Sequence, residues 1–508
     1  CERGHFLAGG EVGAGAVSTY LAVDQSTSAT KALLFGETGD LLDQISLPHQ
    51  QIYPQPGWVE HDAEEIYRNT VRLLGDLVAR HSQWSGDLVS LSITNQRETF
   101  VVFDRQTGLP LHHAIVWLCR RGEPICRRLV EDGCEPLVHE RTGLKIDTYF
   151  PASKLAWLLR ERPDLARALA DGEALFGTVD TYLVYRLTGG AVYASDHTNA
   201  SRTLFYDIGR MDWDPELAEL FGVTVGRWPE LRESCAHFGE TDVEGRLPRA
   251  LPIRGIMGDS QAALFAQRCY APGSAKVTIG TGSSILMNIG GRKVLSPRGV
   301  VTAVAWVLGG QPTYAFEGIT NYTGGTIAWL RDQLELITTP DETEALAQSI
   351  PDNGGVYLVP AFAGLSAPYW RSDVRAAIVG LSPSSTRRHV VRAALESIAY
   401  VITDALRLME EDSGITLRHI HADGGAVRNR FLMQFLADIS RRTVRGSRLP
   451  ELSALGAVCN AMIGVGGASL EELQRLPVGY NEFHPAMSQQ AADALYAGWK
   501  HAVQQVLT

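Results

Sequence analysis

The stretch YLAVDQSTSATKALLF, residues 20–35, decides the fold. Tyr20 to Val23 is an apolar run that ends in Asp24, Gln25 to Thr30 are small and polar, and Lys31 to Phe35 is apolar again. Two short apolar runs around a polar turn predict a β-hairpin, here with a tip of hydroxyls and amides. The stretch AKVTIGTGSSILMN, residues 275–288, repeats the pattern: a strand from Ala275 to Ile279, a Gly280-Thr281-Gly282 turn and a strand from Ile285 to Asn288. Two such hairpins open two halves of the chain, with the division expected between Gln267 and Gly273. This gives one domain over 19–267 and a second over 268–508. A hairpin tip of small residues presents backbone N–H groups that can hold phosphate oxygens. Most Gly/Ser/Thr turns are only turns. Two tips, together with the Gly424-Gly425 turn, favour the phosphate reading. Asp24, beside the first tip, is a candidate Mg²⁺ ligand, directly or through water.

Around the hairpins the chain alternates strand and helix patterns, which predicts an α/β fold. Asp62-Ala-Glu-Glu65 resembles a capping box ahead of a helix carrying Ile66, Leu73, Leu74, Leu77 and Val78 at helical spacing. Leu88 to Ile93 and Thr99 to Phe103 read as strands. Val391 to Met409 reads as a long buried helix stopping at Gly414, followed by a strand from His419 to Ala422 and a helix from Arg430 to Arg441.

Composition excludes several classes. The chain has 508 residues, 45% hydrophobic and 20% charged, so it buries sizeable cores. Its net charge of −11 supplies no basic stripe for nucleic acid. No apolar run reaches the ~18 residues of a membrane helix. Seven scattered cysteines predict reduced thiols in a cytoplasm. Gly4 to Gly15 is glycine-rich without an apolar segment, so residues 1–18 are expected to form a flexible leader and not a signal peptide. His112-His113 and the His419/His421 pair lie in strand-like segments, where rings are packed or solvated more often than ligating, and no zinc is expected.

Three further stretches carry candidate chemistry. Arg97-Glu98 lies between two predicted strands. Adjacent opposite charges there usually form a solvated surface pair, but guanidinium donors and carboxylate acceptors also match the edge of a vicinal diol. Asp259, in GDSQAALF (258–265), reads either as a helix cap or as a general base for a hydroxyl proton. Trp117 and Tyr149 read as core or as the apolar wall of a polyol pocket.

With these residues in view, the chain resembles the FGGY carbohydrate kinases, and within them the glycerol-phosphorylating branch. The resemblance runs from about Tyr20 to beyond Gly466. It rests on IYPQPGWVEHD (52–62), ITNQRE (93–98), AIVW (114–117), NASRT (199–203), GTG (280–282), VPAF (359–362) and DGGA (423–426) in the same order. It implies two actin-like, ribonuclease-H-like domains flanking a cleft where ATP, Mg²⁺ and a small polyol meet, in a cytoplasmic homodimer or homotetramer with no nucleic-acid partner and no membrane insertion. By the same resemblance Asp259 is the catalytic base, and Arg97, Glu98, Trp117, Tyr149, Ser260 and Ser284 line the polyol site. Ser26, Thr27, Ser28, Lys31, Thr281, Gly324, Gly425 and Asn429 would meet ATP, with Asp24 near Mg²⁺.

The departures from the family pattern fall in the polyol pocket (Ser260, Ser284), the nucleotide region (Ala328) and the first phosphate loop (Ser26, Lys31). Ser260 replaces a glutamine, Ser284 a phenylalanine, Ala328 a glutamine, Ser26 a glycine and Lys31 an arginine. The first two leave a tetritol, pentitol or ketose (erythritol, xylitol, ribulose, xylulose) as alternative acceptors. A catalytically idle sugar sensor or scaffold is a further alternative, against which the retained Asp24, Arg97, Glu98 and Asp259 argue, and an actin- or chaperone-like ATPase is another, which would not need the Arg97, Glu98 and Trp117 set.

Overall fold

The computed structural model describes residues 18–508 apart from 82, 84–86, 367, 372 and 477. The expected leader therefore falls almost wholly outside the described residues. Two mixed sheets dominate. In the first, the hairpin strands Thr19–Gln25 and Ala29–Phe35 pair antiparallel, with Asp24 opposite Lys31. Leu41–Pro48 extends the hairpin side, while Leu88–Asn95 and then Leu251–Gly258 add in parallel on the other.

The second sheet repeats this plan. Ser274–Ile279 and Ser283–Gly290 form the hairpin, Gln311–Thr320 extends it antiparallel, and His419–Asp423 and then Thr443–Ser447 add in parallel. The central strands are buried on both faces, as helix-covered parallel sheets require. The molecule is thus a two-domain α/β protein built on one repeated sheet plan.

The helices follow their sequence signals. Asp62 caps Ala63–Arg80 by accepting from the Glu64 N–H. The expected capping box is only half made, because the Glu65 carboxylate accepts from the Gln50 N–H instead. Arg387–Ser413 stops at Gly414, whose φ of 67° is the left-handed C-terminal cap. Leu452–Gly464, from the second half, packs on Asp259–Ala266 and on the first sheet. Gly456 permits this approach, since a Cβ there would meet the Ala262 carbonyl oxygen at 1.9 Å. One expectation needs correcting. His112 lies in a bend and His113 just ahead of the short strand Ala114–Ile115, neither within a strand, with the Glu60 carboxylate 3.0 Å from His113 Nδ1.

Candidate functional site

Both hairpin tips fold as small-residue turns. At the first, the Ser26 N–H and Oγ both donate to the Ala29 carbonyl, and Ser28 is exposed at the apex. Thr27 Oγ1 accepts from Trp117 Nε1 at 3.0 Å, tying this tip to the expected polyol wall. Lys31 Nζ lies 2.6 Å from Glu451 and 3.8 Å from Asp24.

At the second tip, the Thr323 and Gly325 N–H groups donate to the Thr281 carbonyl and Gly324 N–H donates to the Gly280 carbonyl, each at 2.9 Å. The helix Gly324–Asp332 therefore begins directly on the hairpin. Beside it lies a cleft of about 510 Å³ whose lining includes Thr281, Gly324, Ala328, Gly425 and Asn429. Asn429 caps the helix Arg430–Ser440 through Leu432 N–H and donates to Thr343 Oγ1 at 3.0 Å. The second-half residues expected to meet ATP thus line one cleft.

Asp24 is pushed up from 3.8 to about 7 by its burial, with Glu451 and Asp259 adding to the shift and Lys31 opposing it. Among the described residues no group of three or more His, Cys, Asp or Glu side chains could hold a metal. A carboxylate with phosphate and water completing the shell is the donor set Mg²⁺ prefers, so Asp24 fits a nucleotide-borne Mg²⁺.

The acceptor residues converge at the junction of the halves. Asp259 Oδ1 is 3.4 Å from Arg97 Nε, and the Asp259 side chain is 41% exposed, open to a reactant. The helix-cap reading of Asp259 is overturned: Gly258 holds the cap position and Asp259 is the first helical residue. The solvated-pair reading of Arg97-Glu98 is overturned as well, because their side chains are 4% and 2% exposed. Glu98 has a φ of 61°, a left-handed backbone rare for a non-glycine residue and concentrated at functional sites.

Trp117 and Tyr149 pack with ring centroids 5.2 Å apart. Lys154, fully buried, donates to the carbonyls of Thr148 at 2.6 Å, Tyr149 at 2.9 Å and Trp117 at 3.4 Å. Ser260 Oγ and Ser284 Oγ are 3.4 Å apart, so the two departures expected in the polyol site face each other. Ser284 lies opposite Ile319, which is 40% exposed.

Sequence reading missed four residues here: Lys154, Arg202, Gln261 and Glu317. Glu317 pairs with Arg97 at 2.6 Å and with Arg202 at 2.6 Å, Arg202 Nε donates to Glu98 Oε1 at 2.7 Å, and Arg97 Nη1 donates to Gln261 Oε1 at 3.1 Å. The two glutamates respond oppositely. Burial raises Glu98 despite its arginines, whereas Arg202 and Arg97 overcome burial at Glu317 and hold it down to about 2. Glu317 takes three guanidinium contacts, at 2.6, 2.6 and 3.3 Å, with the Lys276 charge adding to the lowering, whereas Glu98 takes one at 2.7 Å and one at 3.6 Å and is raised further by the Glu317 charge. A lone acid inside the apolar strand Tyr314-Ala-Phe-Glu317 was the available signal, since buried charges are almost always paired.

Comparison with known proteins gives the same picture. The family model for the N-terminal domain of the FGGY family of carbohydrate kinases matches residues 19–266, and that for the C-terminal domain matches 275–465. Glycerol kinase 1 of Thermotoga maritima is 45% identical over 489 residues, covering 96% of this chain and 99% of that protein. The glycerol kinase of Carboxydothermus hydrogenoformans is 46% identical over 485 residues, covering 95% and 97%. The crystal structure of Plasmodium falciparum glycerol kinase with ADP superposes with a TM-score of 0.93 at 34% identity, covering 98% of this chain and all of that one.

Proposed function

We propose, from the premise that this chain belongs to the FGGY family of carbohydrate kinases, that it transfers the γ-phosphoryl group of ATP to a terminal hydroxyl of glycerol, giving glycerol 3-phosphate and ADP. The observation that carries the reading is the half-exposed Asp259 carboxylate set between the buried Arg97-Glu98 pair and the second hairpin. Arg97 donates to, and Glu98 accepts from, the acceptor's hydroxyls, while the Trp117 and Tyr149 rings wall its carbon chain. Asp259 takes the proton of the attacking hydroxyl as its oxygen bonds to the γ-phosphorus and ADP departs. Such transfer is mostly positioning and charge stabilisation.

Thr27, with Ser26, Ser28 and Lys31, cradles the phosphates from the first hairpin. Thr281, Gly324, Gly425 and Asn429 hold the nucleotide from the second half. Mg²⁺ beside Asp24, when bound, neutralises phosphate charge. We place the division of the chain near 267, the reaction in the cytoplasm and the assembly as a homodimer or homotetramer. Among the described residues no helix is long and apolar enough to cross a membrane.

The test is product formation by the purified protein from ATP, Mg²⁺ and each of glycerol, erythritol, dihydroxyacetone, xylitol, ribulose and xylulose. Glycerol is expected to give the highest kcat/KM. The facing serines favour one second reading, a longer polyol filling the space beside them; erythritol or xylitol ranking first would establish it. No transfer to any acceptor would refute both.

A further inference from the structure

Glu317 stands apart from the other acids of the acceptor region because of where it comes from. Asp259, Glu98, Arg97 and Arg202 all belong to the first half of the chain. Glu317 belongs to Gln311–Thr320, a strand of the second sheet, next to the hairpin strand that carries Ser284. Its side chain is fully buried and bridges the two arginines: Oε1 accepts from Arg97 Nη2 at 2.6 Å, and Oε2 meets Arg97 Nη1 at 3.3 Å and Arg202 Nη1 at 2.6 Å. Arg202 in turn holds Glu98, and Arg97 lies beside both Glu98 and Asp259. The four charges form a closed ring, Glu98–Arg202–Glu317–Arg97. Three corners come from the first half and one from the second.

We propose that Glu317 is a positioning residue that makes the acceptor clamp conditional on apposition of the two halves. Arg97 and Arg202 are flexible side chains whose charges face each other across this ring. Without Glu317 they share one buried carboxylate, Glu98, which Arg97 reaches only at 3.6 Å, and Arg97 keeps beside it the Gln261 amide oxygen at 3.1 Å and the half-exposed Asp259 at 3.4 Å. When the second sheet brings Glu317 between them, its two oxygens take the Arg97 guanidinium in a fork, which sets orientation as well as distance, and Oε2 also pairs with the Arg202 charge at 2.6 Å. Arg97 then points its remaining donors toward the acceptor and Asp259. If the halves part, Glu317 leaves with its own sheet and the arginines lose that constraint. The same strand borders the second hairpin, so one element positions the acceptor clamp beside the phosphates. An acceptor hydroxyl is thereby correctly held only when the nucleotide half is in place, which disfavours transfer to water in an open cleft. The inference rests on Arg97 and Glu98 being the acceptor clamp.

The test compares Glu317→Gln, Glu317→Asp and Arg97→Ala with wild type. Readouts are KM for glycerol, KM for ATP, kcat, and the rise in melting temperature caused by glycerol and, separately, by ADP. Glu317→Gln keeps the shape and removes the charge. Its glycerol KM is expected to rise about tenfold to a hundredfold, the usual cost of losing a buried charge-assisted bond, while ATP KM stays within about twofold. The glycerol-induced melting shift should vanish and the ADP-induced shift should remain. Glu317→Asp keeps the charge on a stem one methylene shorter. It is expected to lie between wild type and the Gln variant in glycerol KM, a rescue that a space-filling role would not give. If Glu317→Gln fails to fold, Glu317→Asp decides: a raised glycerol KM with an unchanged ATP KM supports the role, and wild-type kinetics overturn it. Equal effects on both substrates, or a lowered melting temperature with unchanged kinetics, also overturn it. Arg97→Ala separates the two claims. An unchanged glycerol KM there refutes the clamp itself, whereas a raised one beside a kinetically silent Glu317→Gln refutes only the positioning role.

Discussion

Lys154→Met tests the support of the acceptor wall. The ammonium is fully buried and its three N–H donors are matched by the carbonyls of Thr148, Tyr149 and Trp117. Methionine fills nearly the same space and donates nothing, so two short bonds and one longer bond are lost. At ~1–3 kcal/mol for each buried acceptor left unpaired, partly offset by no longer burying a cation, the net loss at neutral pH is expected to be about 2–4 kcal/mol. Burial pushes the Lys154 ammonium down from 10.5 to about 7. Between those values the unfolded chain binds more protons at this group than the folded one does, so wild-type stability rises with pH across that window, by up to ~1.4 kcal/mol per unit. The variant lacks this gain. The stability gap between the proteins should therefore widen as pH goes from 7 to 9, and stay constant below 6. Urea midpoints at pH 5.5, 7, 8 and 9, followed by tryptophan fluorescence, read the gap directly. Freed Trp117 and Tyr149 backbones should also raise glycerol KM severalfold without affecting ATP KM. A gap that narrows with rising pH, or does not change at all, refutes the reasoning.

Asp259→Asn should lower kcat ~10²–10⁴-fold, the range for losing a general base, while ADP still binds by calorimetry; near-wild-type turnover would remove Asp259 from that role. Glu98→Ala should raise glycerol KM through ~1–3 kcal/mol of unpaired buried groups, and parallel losses for ATP would point to misfolding instead. In Gly324→Ala the new Cβ would meet the Gly280 carbonyl oxygen at 2.4 Å, displacing the second hairpin; ATP KM should rise with glycerol KM little changed, and the opposite split would contradict the assignment. Ser284→Phe with Ser260→Gln should shift the glycerol/erythritol ratio of kcat/KM toward glycerol by ~1–3 kcal/mol, the usual reach of pocket-size discrimination; no shift in a competition assay would mean that neighbours such as Ile319 already fill the space.

The two hairpins were legible because their information is local: alternating apolar runs, a polar turn and a pairing register of a few residues. So was the long helix ending at Gly414. The acceptor site was legible only in part. Asp259 and the Arg97-Glu98 pair stood out as residues, but their immediate sequence predicts a cap and a solvated pair. What buries Arg97-Glu98 is Arg202, over a hundred positions away, and Glu317, in the other half of the chain. No window of sequence contains that ring. Lys154 was silent for the same reason, since an alternating helix surface tolerates a lysine that snorkels outward, and only the fold shows its head turned inward to three carbonyls. Asp259 was misread by one residue, because Gly258 supplies the extended backbone that ends the strand and takes the cap position.

The opposite shifts of the two glutamates bear on how one ring can both hold and release. Glu317 has its oxygens committed to arginines and stays ionised, a fixed anchor. Glu98 is pushed up by burial, with a single short bond to Arg202 and a backbone φ of 61° that the surrounding structure must sustain. A buried carboxylate short of donors is a costly group, and the cost falls when a donor arrives. A hydroxyl of the acceptor is such a donor. Binding energy is then gained at Glu98, while the anchor at Glu317 keeps the Arg97 guanidinium still enough to present the next hydroxyl to Asp259. Exchanging the two roles would fail: a strained anchor would not orient Arg97, and a fully paired Glu98 would have no reason to bind a polyol.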